Sequence, residues 1–229
     1  MDHLRELLVG LFVEFEASGY EVRSFTYDRP ARDAHVDQVE AELGFQVPAA
    51  LRTLFTQVSS HVELRWHAPP ELEYARPFHE NFGGALHWCL KGLVELHRSK
   101  ERWVEQVFPD SKDAYDRVWH QKLAFQALPN SDFLALDLAP DTLGQVVYLS
   151  HDDGEGHGYV LANNLLDLIR SWVPLACTGG ESWQWLPFYD AQSQRLDPLS
   201  DRAREWRQLL GLSSDLQARL ESFAVARPA

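Results

Sequence analysis

The chain has 229 residues, 45% hydrophobic and 12% aromatic, enough to bury a sizeable core in one large domain or two small ones. Its 34 acids against 21 Lys and Arg leave a formal charge of −13, which argues against sequence-independent phosphate binding, because that needs clustered cations to displace counterions. The N-terminus lacks a basic and then apolar leader, no uncharged apolar run reaches membrane-spanning length, and Cys89 and Cys177 show neither metal-ligand spacing nor disulfide density. Both read as buried free thiols in a soluble, cytoplasmic protein.

Leu4, Leu7, Leu8, Leu11, Phe12 and Phe15 recur at helical spacing ahead of Ser18-Gly19, so the first element is an amphipathic helix. A second helix is expected from Asp33, with Val36, Val39 and Leu43 on one face and Gly44 as its stop. Pro48 opens a third through Leu51, Leu54, Phe55 and Val58, giving a helix pair. Val62, Leu64 and Trp66 then alternate with Glu63 and Arg65 as in a half-buried strand, and Leu86, Trp88 and Leu90 repeat that pattern after Gly83-Gly84. Helices follow over Gly92 to Phe108 and Asp113 to Leu123, separated by Pro109-Asp110.

Phe133 to Leu138, Val146 to Leu149 and Tyr159 to Ala162 are short apolar runs bounded by turn residues, which suits central strands. The last two flank His151 to Gly158 and form a hairpin. Asn163 or Asn164 caps a helix carrying Leu165, Leu166, Leu168, Ile169 and Trp172, which stops near Pro174. A final helix over Asp201 to Leu212 uses Trp206, Leu209 and Leu210, and residues 219–229 read as a frayed tail. The expected class is α+β, one domain over 1–229 with a central, mostly antiparallel sheet flanked by helices.

Between Lys122 and Arg195 stand nine acids and one base, Arg170. Such a surface repels nucleic acid and attracts basic proteins. Asp132, Asp137 and Asp167 read as turn, strand-edge and helix-start residues, so the expected contact surface narrows to two segments. In His151-Asp152-Asp153-Gly154-Glu155-Gly156-His157-Gly158, three carboxylates and two imidazoles share one loop; a solvated turn, a protein contact and a divalent-metal site all remain open, though the calcium-loop order is absent. In Glu181-Ser182-Trp183-Gln184-Trp185 a tryptophan beside a carboxylate suits an interface anchor, while alternation about Gln184 equally fits a half-buried strand. The candidate partner-binding residues are Asp152, Asp153, Glu155, Glu181 and Trp183.

Catalytic motifs fail on spacing. His79-Glu80 meets Gly83 where a zinc-protease helix needs its second histidine, and no nucleophile elbow, dinucleotide fingerprint or phosphate loop occurs. His67, His87 and His97 read as core-edge histidines. No catalytic residue, metal ligand or cofactor is assigned.

Several segments together resemble the SUKH superfamily, in particular the fungal cell-wall-assembly regulator (Smi/Knr) family and its bacterial relatives. The pieces are Val39 to Pro48 leading into Leu51-Arg52-Thr53-Leu54-Phe55, then Gly83 to Trp88, Asn130 to Leu138, Gly144 to Leu149 and the apolar helix ending at Trp172. Ser59-Ser60 departs from the Asn-Gly or Gly-Gly that the family usually carries after its third helix. The resemblance implies an α+β domain whose bacterial members are immunity proteins that neutralise toxins, often nucleases, by stoichiometric binding. It implies a basic toxin domain as partner and no catalytic residues; a regulatory scaffold without a toxin is the alternative, and a metal-dependent hydrolase at the 151–157 loop a third.

Overall fold

In a computed structural model the residues described are 1, 3–152 and 154–225. The helices α1 (Leu4–Ala17), α2 (Asp33–Leu43), α3 (Ala49–Thr53, running on as a π turn over Leu54–Val58), α4 (Leu93–Gln106), α5 (Asp116–Trp119), α6 (Leu165–Trp172), α7 (Ser182–Trp185), α8 (Asp201–Leu209) and α9 (Ser214–Val225) are interspersed with strands. These are β1 (Glu21–Tyr27), β2 (His61–His67), β3 (Gly83–Cys89), β4 (Lys122–Ala127), β5 (Phe133–Asp137), β6 (Val146–Leu149), β7 (Val160–Ala162), β8 (Tyr189–Asp190) and β9 (Arg195–Leu196). The class is α+β. Sheets run in the orders β1-β2-β3, β4-β5-β6-β7 and β8-β9. Among the described residues no helix is long and apolar enough to cross a membrane.

The chain divides into two compact units, one gathering Met1–Tyr27, Val62–Leu86 and the residues from Asp167 on, the other Asp28–His61 and His87–Leu166. In the first, α1 buries Leu4, Leu7, Leu8, Leu11 and Phe15, the stripe its spacing predicts. Phe15 stacks on Trp66 at 4.5 Å, and the Trp66 indole N–H donates to Ala176 O at 2.9 Å, so this large ring is buried without an orphaned donor. Gly84 is required by close approach, since a Cβ there would lie 2.2 Å from Cys177 O. Arg207 on α8 is fully buried; its guanidinium donates to Pro174 O at 3.1 Å and to Glu221 on α9 at 2.6 Å. That α9 exists corrects the expectation of a frayed tail for residues 219–225; Leu216, Leu220 and Phe223 are its buried face.

In the second unit, the expected helix pair is held by one guanidinium. Arg52 donates to Glu40 at 2.9 Å, Asp37 at 2.6 Å and Asp33 at 3.3 Å, while the other Glu40 oxygen accepts Val47 N–H at 3.0 Å. Of the expected α2 stripe, only Val36 is fully buried. Ser59, at the family-divergent turn, is buried, and its carbonyl accepts the Trp88 indole N–H at 3.0 Å. Cys177 is buried as expected, but Cys89 is only partly so.

The four-stranded sheet is the core of this unit. Register pairs Ala124 with Ala135 and Ala135 with Val147, and these residues, with Phe133 and Leu149, share a face against Val104, Phe108 and Trp119. Trp119 stacks on Phe108 at 4.6 Å, meets Phe133 edge-on at 5.9 Å and has no exposure. One segment here and one in the first unit differ from expectation. The helix foreseen over Asp113 to Leu123 lasts only through Asp116–Trp119, because His120 turns to extended backbone, Gln121 takes a left-handed φ of 52° and Lys122 onward pairs with β5. β1 was not foreseen, because its burial does not alternate cleanly. Trp119→Ala removes the ring around which the helix and sheet layers close and is expected to cost about 3–5 kcal/mol. Urea denaturation measures this, and a loss below about 1 kcal/mol would contradict the packing account.

Candidate functional site

The hairpin expected from the apolar runs forms, with Val146 opposite Ala162 and Val147 opposite Val160. Its tip, residues 150–158, is anchored from below rather than being a free solvated turn. Ser150 O, buried at the end of β6, accepts the Tyr115 hydroxyl at 2.6 Å and the Trp119 indole N–H at 3.2 Å. Ser150 N–H donates to His157 Nδ1 at 3.0 Å, which places the His157 proton on Nε2; that group donates to Tyr115 O at 3.1 Å. The His157 ring also lies flat on Tyr115, 3.8 Å between centroids. Gly158 takes a φ of 77°, and a Cβ there would press on Val118 at 3.3 Å.

The other anchor is Asp132, 1% exposed at the entry to β5. One of its oxygens accepts His151 N–H at 2.9 Å and the His151 ring Nδ1–H at 2.7 Å. Its second oxygen accepts the Asn130 amide at 2.6 Å and the Tyr148 hydroxyl. A buried carboxylate needs such donors to offset its lost hydration, and here all its lone-pair directions are used. His151 in turn sits against Trp103 of α4 at 5.4 Å.

On this mount Asp152 and Glu155 are exposed. Asp152 keeps one oxygen on the Ser150 hydroxyl at 2.8 Å, which limits its rotamers while leaving its charge at the surface. Asp153 lies outside the described residues. Asp132, His151 and Asp152 bring ligand-type atoms within 4.8 Å of one another, but the Asp132 oxygens are already engaged. His151 Nε2 and Asp152 alone fall short of the three or four ligands a protein zinc site employs.

The second candidate segment lies in the other unit and departs from expectation. Ser182–Trp185 is a short helix, α7, instead of a strand. Trp185 is fully buried, its indole N–H donating to Gly180 O at 3.0 Å. Glu181 is only 7% exposed, so it does not present charge to a partner, whereas Trp183 at 36% stays accessible. The anchoring residues Tyr115, Trp119 and Asp132 were not foreseen as loop supports; the Tyr115 to His157 contact spans 42 positions, beyond any local pattern.

Asp132→Asn sets an amide N–H₂ against groups that are themselves donors. It is expected to destabilise the unit by about 3 kcal/mol in urea denaturation and to speed amide exchange across residues 150–158. Unchanged exchange there would show that the loop is held by other means.

No curated protein matches the chain. The model of the SMI1 / KNR4 family (SUKH-1) matches residues 30–171, more than half of the 229, and that stretch contains the helix pair, the β4 to β7 sheet and the anchored hairpin tip. The chain therefore belongs to the SMI1 / KNR4 family (SUKH-1).

Proposed function

We propose that this protein is a non-enzymatic, cytoplasmic binding module of the immunity type, which neutralises a basic toxin domain stoichiometrically through the acidic tip of the β6–β7 hairpin. The observation that carries this reading is the pairing of exposed acids with a fixed mount. Asp152 and Glu155 stand free of the sheet, while His157, Ser150 and Asp132 hold the backbone beneath them. A contact loop already in its bound conformation avoids most of the ordering cost of association. Its negative charge speeds encounter with a cationic partner and disfavours nucleic acid. Family membership supports a protein partner, the polar groups of Asp132 and His157 are spent on structure rather than on a reacting centre, and two unpaired thiols suit a reducing compartment.

Co-expression with the product of the neighbouring gene, followed by co-purification and a survival assay, tests the proposal. A one-to-one complex that rescues growth is the expected result. No binding and no rescue with any adjacent toxin-like product would overturn it, and binding without rescue would move the reading to a regulatory scaffold. Asp152→Asn combined with Glu155→Gln is expected to slow association about tenfold at low salt and to flatten its salt dependence. Trp183→Ala, which truncates a partly exposed ring in the other unit, tests a second anchor; a hot spot there would cost at least about 2 kcal/mol of affinity.

A further inference from the structure

A concave site lies within the same unit, at the base of the hairpin whose tip carries the exposed acids. Residues of α5, its following turn and strands β4 to β7 enclose a cleft of about 660 Å³, a size at which small-molecule sites are found. Its apolar surface comes from Val118, Ala139, Val147 and Val160, and its polar surface includes Arg117, Lys122, Gln121 and Gln145.

The cleft escapes the negative charge that dominates the chain as a whole. Lys122, 8% exposed, donates to His120 O at 3.1 Å and to Asp137 at 3.2 Å, which leaves one of the three ammonium N–H donors over. Asp137, the acid in the lining, is satisfied by Lys122, by Ala139 N–H at 3.0 Å and by the Thr142 hydroxyl at 2.9 Å. The nearby acid on the approach to α5, Asp113, accepts the N–H groups of Asp116 at 3.1 Å and Tyr115 at 2.8 Å, which hold its carboxyl below the usual range and keep it ionised opposite Arg117. With the Lys122–Asp137 pair neutral and exposed Arg117 balanced by Asp113, the cleft is close to neutral in a chain whose formal charge is −13. A guanidinium presents parallel donors that match a carboxylate, and the neutral amides of Gln121 and Gln145 add donors beside it.

We infer that this cleft binds a monocarboxylate carrying an apolar body, with Arg117 and the spare Lys122 donor on the carboxylate and the body against Val118, Val147 and Val160. A dianionic phosphate fits less well, because it would bring two negative charges to a near-neutral lining and leave the apolar walls unused. The same chemistry is offered by a free organic acid and by the C-terminal residue of a partner chain.

The test is amide-resolved NMR titration of the full chain with four probes: 3-phenylpropionate, 3-phenylpropionamide, N-acetyl-Gly-Gly-Phe with a free carboxyl, and the same peptide C-amidated. The acids are expected to shift the amides of Gln121, Gln145 and Gly158, and the amidated probes are not. Arg117→Gln should weaken acid binding about tenfold, the scale of one charge-assisted hydrogen bond, while Arg117→Lys retains most of it. Tighter binding of the peptide acid assigns the site to a chain terminus, and tighter binding of phenylpropionate to a free acid. Equal shifts from acid and amide, no shift up to about 10 mM probe, or undiminished binding by Arg117→Gln would each overturn the inference.

Discussion

The hairpin tip depends on one buried carboxylate. Asp132 sits where β5 begins, and its two oxygens gather donors from Asn130 behind it, Tyr148 on the neighbouring strand and the backbone N–H and ring Nδ1–H of His151. Burying an acid is costly unless every lone pair is met, so the surrounding donors are constrained to one arrangement. That constraint fixes the chain direction as it leaves β6. The His157 imidazole fixes the return by joining Ser150 N–H to Tyr115 O and stacking on the Tyr115 ring. Trp119 closes the connection, with one side of the ring in the sheet core and its N–H on Ser150 O.

The proposed function follows from what this leaves outside. The imidazoles that at first resemble ligands or catalysts are internal struts, and Asp152 and Glu155 project beyond them. An acidic contact mounted in this way gains its advantage through encounter rate and pre-organisation more than through the strength of any single ion pair, since exposed pairs contribute little by themselves. Removal of Glu181 from the accessible acids sharpens the proposal, because of its two segments only the hairpin tip then offers exposed charge.

Much of the architecture was legible because the physics was local. Continuous apolar runs at Phe133–Asp137 and Val146–Leu149 are strands buried on both faces, and Gly44 with Pro48 marks the turn between α2 and α3. β1 escaped because Glu21, Arg23 and Ser24 interrupt its apolar residues and most of its side chains are only half buried. β4 escaped because Val118, Trp119 and Leu123 fall at helical spacing, and the helix is broken by backbone turns at His120 and Gln121 that no residue type there announces. At the site, the hairpin and its acids could be read directly. The role of His157 could not, because the groups that fix it come from Tyr115 and Ser150 and meet it only once the sheet has formed.

The central claim is that the anchored hairpin tip is the contact surface for a basic partner. Hydrogen exchange of the complex with the cognate neighbouring-gene product measures this most directly, residue by residue. New protection is expected to concentrate across residues 151–158 on complex formation, with little change in the ladder-bonded amides of β5 and β6. Protection that appears elsewhere while residues 151–158 exchange as in the free protein would contradict it.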